Sequence, residues 1–270
     1  MIANILAIAG SDPSGGAGIQ ADIKAISANG GYAMAAITAL TAQNTQGVQG
    51  VALIDPEMVG AQIAAIREDV RIDAVKIGML GSAAIAARVA DALAGLSAPI
   101  VLDPVMVAKG GDRLLAPEAV AAVRERLLPR ASVVTPNLPE AADLLGDVPA
   151  TTRGEMARQA YALLGLGSGA VLLKGGHLGG NDSPDLLVSA EGEHWFEGRR
   201  CATENTHGTG CTLSSALAAQ LGQKRPLAEA VRQAKSYISG AIAQAGALNV
   251  GSGHGPVHHF HAFTPETART

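Results

Sequence analysis

The sequence has little of what nucleic-acid binding or a disulfide scaffold requires. Its 20 Lys and Arg residues are outnumbered by 24 Asp and Glu residues, and no basic cluster is present. Nucleic-acid binding needs a basic face that displaces counterions. The two cysteines, Cys201 and Cys211, form no CxxC motif, which fits a reducing cytosol better than a disulfide-bonded protein. We therefore expect a cytoplasmic protein with no nucleic-acid partner.

Aromatic residues and long hydrophobic runs are also scarce. Aromatic residues make up 3% of the chain. No apolar run approaches the roughly 18 residues that suggest a membrane span. The first residues, MIANILAIAG, lack the basic region that begins a signal peptide. With 48% hydrophobic and 16% charged residues, the composition is typical of a compact domain, and we expect no membrane partner.

Short strand-like runs alternate with longer helical patterns. The predicted strands include NILAIAG, YAMAAITAL, VQGVALI, AVKIGM and PIVLDPV, with helices at about 19–29, after Pro56 and through AAIAARVADALAGL. This alternation indicates βαβ units around a mostly parallel sheet, and therefore an α/β fold. Strands such as AVKIGM are apolar nearly throughout, as strands covered on both faces should be.

The second half of the chain changes this rhythm. The stretch DLLVSAEGEHWFEG predicts a β-hairpin at a sheet edge. Residues 212–247 are predicted to be helical with a break near Arg225 and Pro226. Because no linker or composition shift marks a boundary, we predict one domain over 1–263 and a loose tail over 264–270.

Polar and glycine-rich stretches follow several predicted strands. They are GSDPSGGAG, DPVMVAKGGD, TPNLPEA and KGGHLGG. Parallel sheets bind ligands outside the carboxyl ends of their strands. We therefore expect these stretches to converge on one active-site rim.

Two common phosphate-binding motifs are incomplete in this sequence. A P-loop needs Gly-x4-Gly-Lys-Ser/Thr, but Gly10 and Gly15 are followed by Gly16 and Ala17. The spacing of Gly16, Gly18 and Ala21 fits a dinucleotide fingerprint, yet the next strand ends without the acid that would hold a ribose. The loop is better interpreted as backbone brought close to a small ligand.

The stretch THGTGCTLSSALAA places glycines and a cysteine before a predicted helix. Unpaired N–H groups and the helix dipole favour an anion there. Two interpretations of Cys211 are open. The positive end of the helix lowers a thiol pKa and could make it partly thiolate, or the residue is a small buried filler.

Several motifs together resemble those of the hydroxymethylpyrimidine/phosphomethylpyrimidine kinases of thiamine biosynthesis, in the ribokinase-like superfamily. They are AGSDPSGGAGIQAD, TALTAQNTQGV, KIGML, LDPVMVAKGG, TPNLPEA, LLKGGH and NTHGTGCTLSSALAA, in order along essentially the whole chain. The resemblance implies a three-layer α/β/α fold with a central, mostly parallel sheet. It also implies a homodimer that uses Mg²⁺ and ATP to phosphorylate the pyrimidine alcohol and then its monophosphate.

Two other functions stay open beside this one. A pyridoxal or pyridoxine kinase acts on a similar hydroxymethyl-bearing heteroaromatic ring. A non-catalytic pyrimidine-binding regulatory protein could keep the fold, although such a protein would not need an anion hole.

The resemblance assigns the phosphoryl-transfer residues. The N–H groups of Gly208, Thr209, Gly210 and Cys211 would hold the γ-phosphoryl oxygens, with Cys211 as a modest base, and Lys174 would contact the nucleotide phosphates. The alternative for Lys174 is a lysine that extends from a strand end to solvent.

The family's metal site corresponds to Asn137 and Glu140, which are expected to act on Mg²⁺ through water. Glu140 could instead be an ordinary acid in the first turn of a helix. Asp103, at a strand end before a proline, could support the metal or cap a turn.

Substrate-binding positions follow from the same resemblance. Gln43 offers a donor and an acceptor to an aminopyrimidine, and Gly10, Asp22 and Met79 match positions near the ring. Asp22 could also be an exposed helix residue. The tail HGPVHHFH is rich in histidine, but no acid or cysteine accompanies it, and the family tends to end in this way.

Overall fold

A computed structural model describes residues 1–106 and 116–263. Within these ranges strands and helices alternate along most of the chain, as the sequence predicts. Helix α1 agrees with its predicted bounds to within one residue. The strands are β1 (Asn4–Ala9), β2 (Tyr32–Ile37), β3 (Ala39–Asn44), β4 (Gly47–Leu53), β5 (Ala74–Ile77), β6 (Ile100–Leu102), β7 (Val133–Val134), β8 (Ala170–Lys174), β9 (Asp185–Ser189) and β10 (Gly192–Phe196). The α-helices are α1 (Gly18–Ala28), α2 (Pro56–Asp69), α3 (Ala83–Ala92), α4 (Pro117–Ala122), α5 (Leu138–Leu145), α6 (Arg153–Leu164), α7 (Thr209–Gly222) and α8 (Leu227–Ala243).

A single eight-stranded sheet organises the described residues. Its strand order is β10-β9-β8-β7-β6-β5-β1-β2. The six strands from β2 to β8 in this order run parallel, whereas β9 and β10 pair antiparallel at one edge. The predicted edge hairpin is therefore confirmed, and so is the mostly parallel sheet.

Helices cover both faces of this sheet. In β1, Ile5 and Ala7 pack into the core shared with α1, α7 and α8, while Leu6 and Ile8 pack into the core shared with α2, α3, α5 and α6. Successive side chains of a strand point to opposite faces, so a strand covered on both sides is apolar at nearly every position. The expected three-layer arrangement is confirmed.

The β3–β4 hairpin departs from the prediction. The run YAMAAITAL was expected to be one strand, but it is divided at buried Thr38, whose hydroxyl donates to the carbonyl of Met79 at 2.7 Å. Strands β3 and β4 pair antiparallel with each other, outside the main sheet. The expectation that VQGVALI belongs to the central sheet is therefore wrong.

The last two long helices match the predicted break. Lys224 adopts a left-handed conformation (φ 63°), and Pro226 precedes the first turn of α8. Helix α7 begins at Thr209, so Cys211 lies inside its first turn rather than before it. Among the residues described, no helix is both long and apolar enough to cross a bilayer. The predicted tail 264–270 and residues 107–111 of the LDPVMVAKGG motif lie outside the described ranges.

Candidate active site

A cleft of about 760 Å³ lies at the carboxyl ends of the parallel strands. The described parts of the loops that follow β1, β6, β7 and β8 reach it, as the sequence predicts, and the hairpin β3–β4 and the start of α7 complete its wall. Among the predicted site residues, Asp22 alone does not line it. Those that do are Gly10, Gln43, Met79, Asp103, Asn137, Glu140, Lys174, Gly208, Thr209, Gly210 and Cys211.

Two backbone segments meet closely at the centre of this cleft. Gly208 has a φ of 77°, and a Cβ there would overlap the carbonyl oxygen of Gly16. Gly18 has a φ of 55°, and a Cβ there would overlap the carbonyl of Gly10. Larger residues would be strained in this conformation and would push the segments apart. The glycines therefore bring the starts of α1 and α7 together.

The first turn of α7 presents N–H groups to the cleft. The first N–H groups of a helix have no partner within it. Within the described part of the chain, no protein group accepts from the N–H groups of Gly208, Gly210 or Cys211. Together with the positive end of the helix dipole, they form a site suited to a phosphate oxygen.

The Cys211 thiol does not behave as a thiolate in this position. Burial raises its pKa to about 11, and the nearby carboxylates of Asp22 and Asp103 also raise it. Lys76 and a backbone hydrogen bond from Gly18 favour the thiolate but do not compensate. Of the two open interpretations of Cys211, burial therefore favours the neutral thiol, because desolvation disfavours the charged form.

Lys174 extends from the end of β8 to the start of α7. Its Nζ lies 3.1 Å from Oδ1 of Asp103, which is buried and also accepts from the hydroxyl of Ser214 at 3.2 Å. A Cβ on Gly210 would lie 3.3 Å from this Nζ. The lysine is therefore held inside the cleft beside the free N–H groups, and it does not extend to bulk solvent.

Asn137 and Glu140 form a capping box at the start of α5. The Asn137 side chain accepts from the N–H of Glu140 at 2.9 Å, and the Glu140 carboxylate accepts from the N–H of Asn137 at 2.8 Å. Burial raises the pKa of Glu140 to about 7, although Lys174, with its Nζ 3.9 Å away, lowers it. The interpretation of Glu140 as an acid in the first turn of a helix is therefore confirmed. Its carboxyl group also lines the cleft.

The same residues fit a magnesium site of a particular kind. No group of three acids, histidines or cysteines within the described residues could hold a metal alone. Mg²⁺ usually keeps several waters and is bound by one or two carboxylates together with substrate phosphates. A buried carboxyl and an amide oxygen at the rim of a phosphate-sized cleft match that chemistry.

One end of the cleft has the groups expected around a small ring. Gln43 lies on β3 and Met79 follows β5, and both line the cavity near Gly10. A Cβ on Gly10 would lie 2.6 Å from Cε of Met79, so only glycine leaves room for this thioether. A thioether can contact the face of a heteroaromatic ring, and an amide can hydrogen-bond to the polar edge of such a ring.

Asp22 is placed differently from its predicted role. It is fully buried on α1 and pairs with Lys76 of β5, at Nζ–Oδ1 and Nζ–Oδ2 distances of 2.7 and 2.9 Å. Asp22 therefore lies behind the wall of the cleft. The predicted substrate contact and the alternative of an exposed helix residue are both wrong.

Sequence reasoning missed a second buried pair, Asp12 and His207. Nε2 of His207 lies 2.7 Å from Oδ2 of Asp12 and 3.5 Å from Nε2 of Gln43. Burial acts to raise the pKa of Asp12, but hydrogen bonds from His207, Ser14 and the N–H of Ala17 lower it overall. The Asp-Pro-Ser-Gly sequence could have indicated the turn around Asp12, but no local signal connects it to His207.

The opposite end of the cleft was also missed. Lys235 of α8 pairs with Asp185 of β9 at 2.7 Å, and both line the cavity. Arg200 donates to the carbonyls of Gly176, Leu178 and Gly180. These contacts fix the loop after β8, the far wall of the cleft.

The histidine-rich tail packs against α7. Nε2 of His259 lies 3.0 Å from the hydroxyl of Thr212, and burial lowers the pKa of His259 to about 4. A neutral, buried histidine hydrogen-bonded to a threonine has a structural role.

Comparisons with known proteins agree with this geometry. The sequence matches the family model described as phosphomethylpyrimidine kinase over residues 12–258. It is 56% identical over 261 residues to the hydroxymethylpyrimidine/phosphomethylpyrimidine kinase of Escherichia coli K12, covering 96% of this chain and 98% of that protein.

Two solved structures are also similar. One is a pyridoxal kinase of Bacillus subtilis in complex with ADP (TM-score 0.88, 35% identity, covering 97% of this chain and 99% of the other). The other is a phosphomethylpyrimidine kinase from Clostridium difficile (TM-score 0.79, 42% identity, covering 90% and 100%). On its sequence and its fold, this chain belongs to the phosphomethylpyrimidine kinase family.

Proposed function

We propose that this protein is an ATP-dependent kinase that phosphorylates 4-amino-5-hydroxymethyl-2-methylpyrimidine to its monophosphate and then to its diphosphate, in thiamine biosynthesis. The observation that carries the proposal is the placement of Lys174 beside the free N–H groups of α7 in one cleft. Met79 and Gln43 line the part of this cleft near β5 and β3, and Lys235 lines the part near β9. This arrangement suits the transfer of a phosphoryl group from a nucleotide to a small ring substrate bound in the same cleft.

In the first step the hydroxymethyl oxygen forms a bond to the γ-phosphorus, and the bond from that phosphorus to ADP breaks. In a loose transition state the alcohol proton leaves late and passes to an oxygen of the transferred phosphoryl group, so no strong base is required. Cys211, as a neutral thiol, positions the hydroxyl. The free N–H groups of Gly208, Gly210 and Cys211 stabilise the charge on the transferred group, whereas the N–H of Thr209, predicted to join them, already donates to the carbonyl of Thr206.

In the second step the nucleophile is the monophosphate, which is already ionised at neutral pH and gives up no proton. Lys174 contacts the nucleotide phosphates, and Asp103 holds it in place. Mg²⁺, when bound, neutralises charge on the β- and γ-phosphates, and Glu140 and Asn137 would hold it through water.

A pyridoxal kinase is the second candidate, because the Bacillus subtilis relative of similar fold carries that name. The test is to incubate the purified protein with Mg-ATP and the hydroxymethylpyrimidine, with a parallel pyridoxal reaction, and to follow products by mass spectrometry. Monophosphate followed by diphosphate supports the proposal. Pyridoxal phosphate as the only product supports the second candidate, and no product from either contradicts both kinase assignments.

We also propose that the protein is a cytoplasmic homodimer. Free cysteines and the need for ATP support the location. The β3–β4 hairpin leaves Leu40, Val51 and Leu53 about half exposed, and a second copy would cover such apolar side chains. Light scattering should give a dimer mass for the wild type and a smaller mass for Leu40→Lys; a monomeric wild type would contradict this proposal.

A further inference from the structure

A buried charge pair lies directly behind the start of α7. The Lys76 and Asp22 side chains are both 0% exposed. Both oxygens of Asp22 accept from Nζ of Lys76, and Oδ1 also accepts from the hydroxyl of Ser215 at 2.7 Å. The cluster therefore connects β5, α1 and α7, the elements that support the centre of the cleft.

Stability alone does not account for this cluster. Lys76 occupies a position in a buried strand, between Val75 and Ile77, that a hydrophobic residue could fill. Taking two charges out of water costs enough that replacing a buried pair by well-packed apolar residues is often neutral or stabilising. Gly78 leaves room for the Lys76 ammonium group, since a Cβ at this position would lie only 2.6 Å from Nζ of Lys76.

The position of the cluster relates it to the reacting groups. Ser215 is four residues after Cys211 on α7, so the two side chains share a face of the helix one turn apart. The charged groups that act on the Cys211 thiol are Lys76, which lowers its pKa, and Asp22 and Asp103, which raise it. The charge pair thus acts on the group at the acceptor end of the cleft.

We propose that Lys76 and Asp22 are positioning residues for phosphoryl transfer. Asp22 holds Ser215, and therefore the first turns of α7, against α1 and β5. Lys76 adds a buried positive charge behind the N–H groups that receive the transferred phosphoryl. This inference rests on the proposed kinase function, but its effect on Cys211 can be measured without turnover.

The test compares Lys76→Met, Asp22→Asn and the double variant Lys76→Met/Asp22→Leu. If the cluster only supported the fold, the apolar double variant would recover both thermal stability and turnover. We expect it to recover stability while kcat for the first phosphorylation falls roughly tenfold or more, with a smaller change in KM, because transition-state contacts depend on the placement of α7. Wild-type kcat in a stable double variant would overturn the proposal.

A second measurement follows alkylation of Cys211 by iodoacetamide against pH, in a Cys201→Ser background so that a single thiol reports. The midpoint should rise in Lys76→Met and fall in Asp22→Asn. Lys235→Met removes a lysine from another Lys–Asp pair of the cleft and should leave this midpoint unchanged.

Unchanged midpoints in both single variants would overturn the proposed charge effect. Shifted midpoints in a protein that phosphorylates neither substrate would instead support that effect and contradict the kinase function. The two failures are therefore distinguishable.

Discussion

Replacing Glu140 with glutamine should stabilise the metal-free protein at alkaline pH. Burial raises the pKa of Glu140 from 4.5 to about 7 in the folded protein. Glutamine keeps the size of the side chain and a carbonyl that can accept from the N–H of Asn137, but it carries no charge. It therefore removes the cost of ionising a buried carboxyl.

The sign and size follow from linkage. A carboxyl whose folded pKa is raised contributes its full stability below about pH 4.5, and this contribution is lost as the pH rises to about 7. At 1.36 kcal/mol for each pKa difference of one, Glu140→Gln should gain about 3 kcal/mol over the wild type above pH 7, and almost nothing near pH 4.5. In urea this is a midpoint shift of roughly 1 M.

The assay is urea unfolding in EDTA at pH 5, 7 and 9, followed by circular dichroism. Glu155→Gln is the matched control, because Glu155 holds the same capping-box position in α6. Hydrogen bonds from the backbone and hydroxyl of Thr151 lower the pKa of Glu155, so its contribution is present at neutral pH and is lost as the pH falls. The control should therefore lose stability at pH 7, and this loss should shrink toward acid pH. A Glu140→Gln gain that does not grow between pH 5 and pH 9 would refute the reasoning.

Three further predictions concern the centre of the cleft. Gly208→Ala should lower kcat about 100-fold, because the new Cβ would displace the carbonyl of Gly16 and move the N–H groups of α7; steady-state kinetics with unchanged kcat would contradict this. Cys211→Ala should slow the first phosphorylation more than the second, since the neutral thiol positions the alcohol whereas the ionised monophosphate does not depend on it; equal losses in product time courses would contradict it. Lys174→Met should raise KM for ATP, lower kcat and lower the melting temperature, because buried Asp103 loses its cation. Wild-type ATP kinetics in that variant would exclude the phosphate contact.

Much of the fold could be predicted because parallel sheets leave a clear pattern. Strands covered on both faces are apolar nearly throughout, and glycine-rich turns follow them, so both the strands and the loops that line the cleft were identified. The β3–β4 hairpin was not, because strand-forming residues do not specify the strand with which they pair. The division at Thr38 also has no glycine or proline to mark it.

The site predictions were wrong or undecided for residues whose environment or ionisation depends on burial in the folded protein. Asp22 looked like a helix acid, but Lys76, which pairs with it, is 54 positions away in a strand that otherwise reads as apolar. The local sequence around Cys211 predicts only the field of the helix, which lowers a thiol pKa. Desolvation by the packed core acts in the opposite direction and raises the pKa of Cys211. This desolvation depends on the whole fold and not on the local sequence.

A neutral thiol at position 211 suits a site that handles two different nucleophiles. An aspartate there would be a stronger base for the alcohol, but its charge would repel the ionised monophosphate that must occupy the same place in the second step. The thiol, with a pKa of about 11, adds no charge at neutral pH. The loose transition state makes little demand on a base, so the first step loses little by this choice and the second gains an acceptor end without an opposing charge. The field of the buried Lys76 ammonium also favours an anion at the start of α7, whereas the fields of Asp22 and Asp103 oppose one.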